Sequence, residues 1–396
     1  MTRHRLPLLV LVAVVVGVAL GTLFPDGALK SVSEIGKLII HWVKLIAGPF
    51  LFLTIVASVV EVQIRWRDGL KLVGVALFNT SIAIALGVGL ASVFLSDLKL
   101  PELNIAASAA PTNLTLSFDG WVKTLTPSSL FAPFVNNDIL LIALMALLTA
   151  LALRKIYSGE GETAVQAVAE KTLALRKLPA TFLEWMIAII PLAVCAVVAG
   201  SVSQYGLAPL VSLLKYVAVV LLGLTLQVVL VYGTWLFIVK RISPKRFWAE
   251  AKEPIFYALG VNSSLATVPL TFKALKNLGV SPKAASLGAG VATNLNNDGV
   301  VLYEAMAVFF IAGLYGIPMT ETQMITAALA CIVASMGITG VPEAGFISLS
   351  VVVGTLGLPA EALPLLLAVD WMIARFRSVV NVLSDMTLSI AVDTKA

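Results

Sequence analysis

The chain has 396 residues, of which 59% are hydrophobic and only 12% are charged, with a formal net charge of +5. A soluble domain averages about 45–50% apolar and about 25% charged residues, so this chain cannot cover a water-facing surface of ordinary size. The composition excludes a soluble enzyme, a disordered protein and a free nucleic-acid-binding protein. It predicts an all-α membrane protein that crosses the lipid bilayer several times.

Six apolar segments in the first part of the chain are long enough, or nearly so, to cross a membrane, which takes about 20 helical residues. They cover residues 6–24, 36–60, 72–96, 137–153, 180–203 and 207–239. We interpret the first as a membrane helix rather than a cleaved signal peptide, because its apolar run reaches about 20 residues. Residues 97–136 contain four prolines and are predicted to form a long extracellular loop.

Basic residues accumulate on alternate sides of these segments. Arg3 and Arg5 precede the first segment, and further clusters lie between the second and third, between the fourth and fifth, and after the sixth. The loops between them hold few basic residues. Because cytoplasmic loops are enriched in lysine and arginine, the N-terminus is predicted to be cytoplasmic, at the cell (inner) membrane. The number of later crossings predicts a cytoplasmic C-terminus as well.

After residue 245 the apolar pattern is interrupted twice in a similar way, at residues 260–264 and at residues 337–345. Each interruption is followed by an apolar segment that carries Asn and Asp. A backbone break at bilayer depth is tolerated only where it is buried in protein or lines a watery cavity. Interrupted segments in corresponding positions of two halves point to the binding site of a transporter. We therefore predict two re-entrant helical hairpins within an inverted repeat.

The final apolar segment, residues 363–392, carries Asp370, Arg377, Asn381 and Asp385. Successive helical residues are about 100° apart, so this spacing places all four on one face. Charges at bilayer depth cost about 2.5–3.5 kcal/mol each, so the face must look into the protein or a cavity. It forms either an ion-pair network that only holds helices together or a substrate and ion site. In a site, Arg377 would hold a carboxylate through two parallel hydrogen bonds.

A second polar run, residues 294–299, lies inside the apolar segment 284–313. Its carboxamides, the Asp298 carboxylate and carbonyls freed by unwinding would form an oxygen cage suited to sodium. A surface loop with Asn-Asp-Gly turn chemistry is the alternative. Glu304 lies two turns further along. Because burial disfavours a charged carboxylate, Glu304 is a candidate proton carrier, unless it pairs with a basic residue.

The sequence contains no Walker A, H-E-x-x-H or G-x-S-x-G motif, so we predict that the protein is not an enzyme. An intramembrane aspartyl protease would explain neither the two broken hairpins nor Arg377. Two functions remain: a coupled secondary transporter of acidic organic substrates, and an anion-conducting channel without coupled transport. The roles of Arg375, on another face of the last helix, and of Glu343, in the second break, stay open.

These motifs together resemble those of the dicarboxylate/amino acid:cation symporter family, the glutamate transporter homologues. The serine-rich run SSLATVP at 263–269 is similar to the tip of the family's first hairpin, and GITGVP at 337–342 to the second. The run NNDG at 296–299 resembles the family's Asn-Met-Asp-Gly-Thr motif, and the polar spacing of the last helix also matches. The resemblance covers most of the chain and is closest from about residue 220 onward.

The resemblance implies eight transmembrane helices, two re-entrant hairpins and a homotrimer in which a transport domain slides against a scaffold. The scaffold would comprise residues 1–69 and 137–205, the extracellular loop 99–136, and the transport domain 70–98 and 206–396. Sodium would be bound by Asn296, Asp298, Asn381, Asp385, Thr80 and Ser81. Substrate would be bound by Ser263, Ser264, Val341, Pro342, Arg377, Ser378 and Asn381, with Asp370 in support. Glu304 sits where proton-coupled members carry a glutamate.

The chain also departs from the family's pattern. Amino acid carriers have an aspartate three residues before the arginine, where this chain has Ala374. Other departures are Asn297 for the motif methionine, Val300 and Ile338 for threonines, and Leu77 for an aromatic residue. The chain keeps Arg377 but has no aspartate at position 374 to bind a substrate ammonium group. This combination favours a dicarboxylate over an acidic amino acid. We therefore predict a symporter that imports such a substrate with Na⁺ and/or H⁺ by elevator-type alternating access.

Overall fold

The computed structural model describes residues 6–61, 66–95, 129–136, 139–158, 162–240, 242–294, 296–336 and 344–393. The regular structure within these ranges is helical, without a strand. Its helices are α1 (Leu6–Leu23), α2 (Lys30–Glu61), α3 (Trp66–Phe94), α4 (Ala132–Val135), α5 (Ile139–Ser158), α6 (Glu162–Tyr205), α7 (Ala208–Leu226), α8 (Pro244–Val261), α9 (Ser264–Leu278), α10 (Pro282–Ala285), α11 (Asp298–Leu314), α12 (Glu321–Met336), α13 (Ala344–Thr355) and α14 (Leu363–Val392).

Three helical stretches of the described ranges are apolar and long enough to cross a membrane. They are Leu70–Phe94, Ala188–Tyr205 and Leu210–Phe237. Shorter apolar helices of 10–17 residues lie at Leu8–Leu23, Gly48–Ala57, Glu321–Met336 and Gly345–Thr355. The predicted segment 180–203 is only the second half of α6, which is one helix of 44 residues. Helix-forming Ala, Glu, Leu and Lys residues dominate the first half of α6 and extend it toward the N-terminus.

Helix α7 does not end as a regular α-helix. It continues through two π-helical stretches, Gln227–Tyr232 and Thr234–Val239. Short π-helical insertions are rare and frequently occur at functional sites, because the wider turn rotates the following side chains relative to the α-helical register. The insertion places the side chain of Tyr232 in the protein interior, where it is 1% exposed.

Hairpin 1 consists of α8, α9 and the two residues between them. Helix α8 ends before Asn262, which has the left-handed φ of 54° that asparagine tolerates better than most residues. Ser263 is extended, and its hydroxyl accepts a hydrogen bond of 3.2 Å from the Ala266 backbone N–H, which caps α9. The two helices pack against each other, so the break predicted within residues 260–264 is a tight tip.

Hairpin 2 consists of α12 and α13, which also contact each other. Its tip, residues 337–343, lies outside the described residues. Between the hairpins, α10 passes into a π-helical stretch, Ser286–Val291, and a 3₁₀ turn, Ala292–Asn294. Regular α-helix resumes at Asp298. The chain therefore leaves the α-helix at the polar run, and backbone groups around it are available to other partners.

The helices pack in two groups. Helices α1, α2, α5 and α6 pack mainly against one another, whereas α3, α7, hairpin 1 and α11 gather around α14. Hairpin 2 contacts α11 and also reaches α2 and α5. From Ser378 to Asp393 nearly every residue of α14 and its end is buried. The polar face of α14 therefore looks into the second group, and the candidate site lies along it.

Candidate functional site

The polar residues predicted to share one face of α14 all point into the protein. Asp370, Arg377, Asn381 and Asp385 are each at most 5% exposed. Ser384, seven residues beyond Arg377, is also fully buried. This spacing is two helical turns, so Ser384 extends the same face.

Asp298 is the centre of a hydrogen-bonded cluster built from four parts of the chain. The Thr80 hydroxyl of α3 donates to Asp298 Oδ1 at 2.8 Å. The hydroxyls of Tyr232, from the π-helical end of α7, and Ser384, from α14, both donate to Oδ2 at 2.8 Å. Charge-assisted hydrogen bonds of this length stabilise a carboxylate away from water. Asp298 can therefore carry its negative charge in the interior.

Further oxygen atoms surround this cluster. Asn296 Nδ2 donates to Ser384 Oγ at 2.7 Å, and Asn296 Oδ1 lies 3.1 Å from the Thr80 hydroxyl oxygen. Asp385 Oδ1 and the nearby Thr293 Oγ1 are buried and form no hydrogen bond within the described residues. Carboxylate, carboxamide and hydroxyl oxygens are the ligands that hard cations take. The donor set therefore fits a small cation such as sodium.

Ser81 does not join this cluster. Its side chain lies on the exposed side of α3, whereas that of its neighbour Thr80 is 6% exposed. Successive helical residues differ in direction by about 100°, which separates the two hydroxyls.

A chain of amide hydrogen bonds links α11, α14 and hairpin 2. The Gly299 backbone N–H donates to Asn381 Oδ1 at 2.9 Å, and Asn381 Nδ2 donates to Asn297 Oδ1 at 3.1 Å. Asn297 Nδ2 in turn donates to the Ser335 carbonyl at 2.9 Å. A Cβ atom on Gly299 would lie 2.8 Å from the Arg377 carbonyl oxygen, so glycine permits the close approach of α11 to α14.

The Arg377 guanidinium is enclosed by three helices. Its Nη2 lies 2.9 Å from Asp370 Oδ1, and its Cζ lies 4.0 Å from the centroid of the Tyr303 ring on α11. On the side of hairpin 2, a Cβ atom on Gly345 would come within 2.7 Å of the guanidinium. The ion pair and the cation–π contact fix the plane of the guanidinium.

The tip of hairpin 1 reaches α14 directly beside this arginine. The Ser378 hydroxyl donates to Asn262 Oδ1 at 2.9 Å. Ser263 and Ser264 are both partly buried at the start of α9, where Ser263 serves as the cap. At hairpin 2, Val341, Pro342 and Glu343 lie outside the described residues.

Glu304 belongs to α11 and is fully buried, and its side chain contacts hairpin 2. The Ser348 hydroxyl of α13 donates to Glu304 Oε1, and the Cys331 side chain of α12 lies beside the same carboxyl group. Within the described residues, Glu304 Oε2 has no hydrogen-bond partner. Glu304 therefore connects α11 to both helices of hairpin 2.

Several residues of the site were missed by sequence reasoning. Ser384 could have been found, because it continues the 7-residue spacing of Asp370 and Arg377. Tyr232 gave no signal, because the π-helical stretch changes the register on which helical patterns depend.

Arg375 is partly exposed, donates to the Trp371 carbonyl and lies over the Trp371 ring, away from the Arg377 face.

Residues 6–395 match the family model described as the sodium:dicarboxylate symporter family. The C4-dicarboxylate transport protein of Cupriavidus taiwanensis is 28% identical over 397 residues, which covers 97% of this chain and 89% of that protein. Excitatory amino acid transporter 3 of Mus musculus is 39% identical over 171 residues, and the Homo sapiens protein of the same name is 40% identical. Those matches cover 43% of this chain and only 33% of each relative's length.

Proposed function

Because the chain belongs to the sodium:dicarboxylate symporter family, a family of multi-pass membrane transporters and not of enzymes, we propose that it is a secondary active symporter of an acidic organic substrate. The observation that carries the proposal is the buried Arg377 guanidinium, held by Asp370 and Tyr303 between α14, α11 and hairpin 2. A guanidinium has five N–H donors in one plane and can hold two carboxylates at once. One of them would belong to the substrate.

We favour a dicarboxylate over an acidic amino acid as that substrate. Ala374 lies one turn before Arg377 on the same side of α14 and is 3% exposed, so the wall beside the guanidinium is apolar there. An ammonium group against this wall would lose its water without gaining an acceptor, which is strongly unfavourable. The second carboxylate would meet the tip of hairpin 1, where backbone N–H groups at the start of α9 favour anions.

Sodium is the proposed coupling ion, with protons as an additional or alternative driver. The oxygens around Asp298, Asn296 and Asp385 supply carboxylate and neutral ligands together, which suits a hard cation. We propose Asn381 as the link between the two sites, because its side chain reaches the start of α11 only one turn beyond Arg377. Ser81, which lies apart from these oxygens, would not contribute in this conformation.

We propose an elevator-type mechanism in which, in each subunit, a mobile transport domain slides against a scaffold. The scaffold would contain α1, α2, α5 and α6, and the transport domain the helices around α14, in agreement with how the helices pack. Hairpin 2 lies where the groups meet and covers Arg377, so it would expose or enclose the substrate. The substrate would then cross the membrane as the transport domain slides along the apolar scaffold.

A homotrimer is the proposed assembly. Large apolar side chains recur every three or four residues along the exposed side of α6 and form one stripe, as in helix–helix seams. They are Leu175, Leu178, Phe182, Trp185, Ile189 and Leu192. Packing this stripe against other copies would shield it from the aqueous edge of the membrane. Native mass spectrometry of the detergent-purified protein measures the stoichiometry directly.

An anion-conducting channel is the second candidate function, because a buried arginine also attracts permeating anions. Reconstitution in proteoliposomes tests both. A symporter should take up labelled succinate, fumarate or malate under a sodium or proton gradient, saturably and with counterflow. A channel would instead carry current in the absence of these acids. Uptake of L-aspartate with indifference to the three dicarboxylates would contradict the proposed substrate.

Changing Ala374 to Asp is expected to shift the substrate preference toward amino acids. The new carboxylate would face Arg377 across one helical turn and offer an acceptor to an ammonium group. We expect the ratio of aspartate to succinate uptake to rise by about 100-fold, since a good buried charge pair is worth a few kcal/mol. Ala374→Ser is the matched control for added volume without charge. Unchanged preference in Ala374→Asp would contradict the assigned position of the substrate.

Changing Glu304 to Gln is expected to flatten the pH dependence of uptake. If Glu304 carries a proton, wild-type uptake rises as the external pH falls, because the buried carboxyl must be loaded before hairpin 2 encloses it. Glutamine imitates the protonated carboxyl and cannot titrate. Initial uptake rates under a constant sodium gradient measure the profile. Glu321→Gln, at an exposed position on α12, is the control, and a steep profile in Glu304→Gln would remove the role.

A further inference from the structure

Asn297 occupies an unusual position for a residue directly before a helix. Asparagine before a first helical turn usually caps that turn through its side chain. Asn297 makes no such cap on α11, although its backbone is not helical. Its side chain is instead buried, with 4% exposed, and joins Asn381 to the Ser335 carbonyl. The Asn297 side-chain amide therefore forms contacts between helices and does not cap α11.

The partner in hairpin 2 lies at the end of a broken helix. Helix α12 ends at Met336, so the Ser335 carbonyl is among its last four, and within the part of the chain that the structure describes it has no intrahelical partner. The C-terminal end of a helix also carries partial negative charge. Half-helix ends of this kind at bilayer depth coordinate sodium ions in transporters. Here the Ser335 carbonyl accepts its hydrogen bond from the neutral amide of Asn297.

We propose that Asn297 takes the place of a coupling cation at the end of α12. Its side-chain N–H donates to the Ser335 carbonyl, where a cation would otherwise be the positive partner. Its side-chain oxygen accepts from Asn381 Nδ2, and Asn381 Oδ1 accepts from the Gly299 N–H. Hairpin 2 is thus held to α14 by a continuous row of amides. The proposal rests on the proposed symport function, and it means that no coupling cation binds between the Ser335 carbonyl and the Asn381 side chain.

The sharpest test replaces the donor by an acceptor of the same shape. In Asn297→Asp, an oxygen would face the Ser335 carbonyl oxygen, and only a bound cation or a proton on the new carboxyl group could bridge them. Asn297→Met removes the donor without adding charge and serves as a second variant. Asn136→Asp, at an exposed position after α4, is the matched control. Thermal unfolding of the purified protein, without substrate, is measured in sodium chloride and in choline chloride at equal ionic strength.

We expect Asn297→Asp to be less stable than the wild type in choline and to recover steeply with sodium. The increase of Tm with the logarithm of sodium concentration should be greater than in the wild type, because an added bound ion stabilises by mass action. Asn297→Met should show the same tendency to a smaller degree, and Asn136→Asp none. Equal sodium slopes in the wild type and both Asn297 variants would overturn the proposal.

Substrate binding provides an independent readout. The slope of log Kd for succinate against log sodium concentration should steepen by about one ion in Asn297→Asp. A uniform loss of affinity at all sodium concentrations would show that Asn297 only packs, and would overturn the proposal. If the wild type binds none of the acids, the proposed function fails. The thermal measurement still decides the role of Asn297 in that case.

Discussion

Replacing Arg377 by alanine is expected to abolish measurable uptake of the acidic substrate. Removing one partner of a buried ion pair costs about 3–5 kcal/mol, and the same change removes the proposed partner of the substrate carboxylate. Losing the buried charge partner of the substrate costs about 2–5 kcal/mol of binding free energy, so substrate affinity should fall by about 30-fold or more. Part of the damage in this variant would come from leaving Asp370 buried without its cation.

Arg377→Lys separates the two effects, because lysine keeps the positive charge beside Asp370. An ammonium cannot reproduce two parallel hydrogen bonds or the stacked contact with Tyr303. We therefore expect Arg377→Lys to fold with near-normal thermal stability and still to lose at least about 10-fold in affinity. Isothermal titration with succinate and uptake into proteoliposomes measure the two parameters.

Arg375→Lys is the matched control for this prediction. Arg375 lies two residues away on the same helix, but it contacts Trp371 and is partly exposed. Uptake should change little in this variant. Equal losses in Arg375→Lys and Arg377→Lys would contradict a specific role for Arg377. Normal uptake in Arg377→Ala would contradict the site as a whole.

The polar residues of α14 show what a sequence pattern alone can predict about a site. The spacing of Asp370, Arg377 and Asn381 predicted one face, and charge at bilayer depth predicted that this face is internal. Both conclusions depend only on helical periodicity and on the free energy of burying charge, and burial of all three side chains confirms them.

The residues that complete the site could not be obtained in the same way. Tyr232 reaches Asp298 because α7 changes to a π-helix, and no local pattern predicts that change. Ser348 meets Glu304 only because hairpin 2 packs against α11. Contacts between segments distant in sequence are determined by tertiary packing. Serine and tyrosine are common in any helix, so their positions in the sequence do not show which distant residue their side chains contact.

Asn297 illustrates a third case, in which the sequence indicated a departure but not its meaning. The motif resemblance predicts a methionine at this position, and the sequence has an asparagine instead. Its consequence depends on the neighbouring groups, the Ser335 carbonyl and the Asn381 side chain. A thioether has no N–H to donate, whereas a carboxamide can donate and accept at once. The same substitution in a solvated loop would have had little effect.

Replacing Asp298 by asparagine is expected to eliminate sodium binding at the cluster around it. The carboxylate accepts hydrogen bonds from Thr80, Tyr232 and Ser384. Asparagine has one acceptor oxygen, and its NH₂ group would be placed against a hydroxyl that now donates. Each hydrogen bond to a charged group is worth about 1.5–3 kcal/mol. The variant therefore loses the negative charge and part of the network together.

The measurement should separate loss of ion binding from loss of stability. The wild type is expected to unfold at a higher temperature in sodium chloride than in choline chloride, because an ion at about 100 times its Kd stabilises the folded state by about 2.7 kcal/mol. In Asp298→Asn this difference should disappear, whatever the Tm in choline. Sodium-driven uptake should fall by at least about 100-fold.

Asp26→Asn supplies the control for the same chemical change. Asp26 is exposed and has a φ of 60°, a conformation that asparagine adopts readily, so the exchange leaves the backbone undisturbed. Its sodium-dependent difference in Tm should equal that of the wild type. If Asp298→Asn keeps this difference while uptake disappears, Asp298 supports the fold and the cation binds elsewhere. If the difference disappears only in Asp298→Asn, the buried carboxylate is the charge that attracts the coupling ion into the protein.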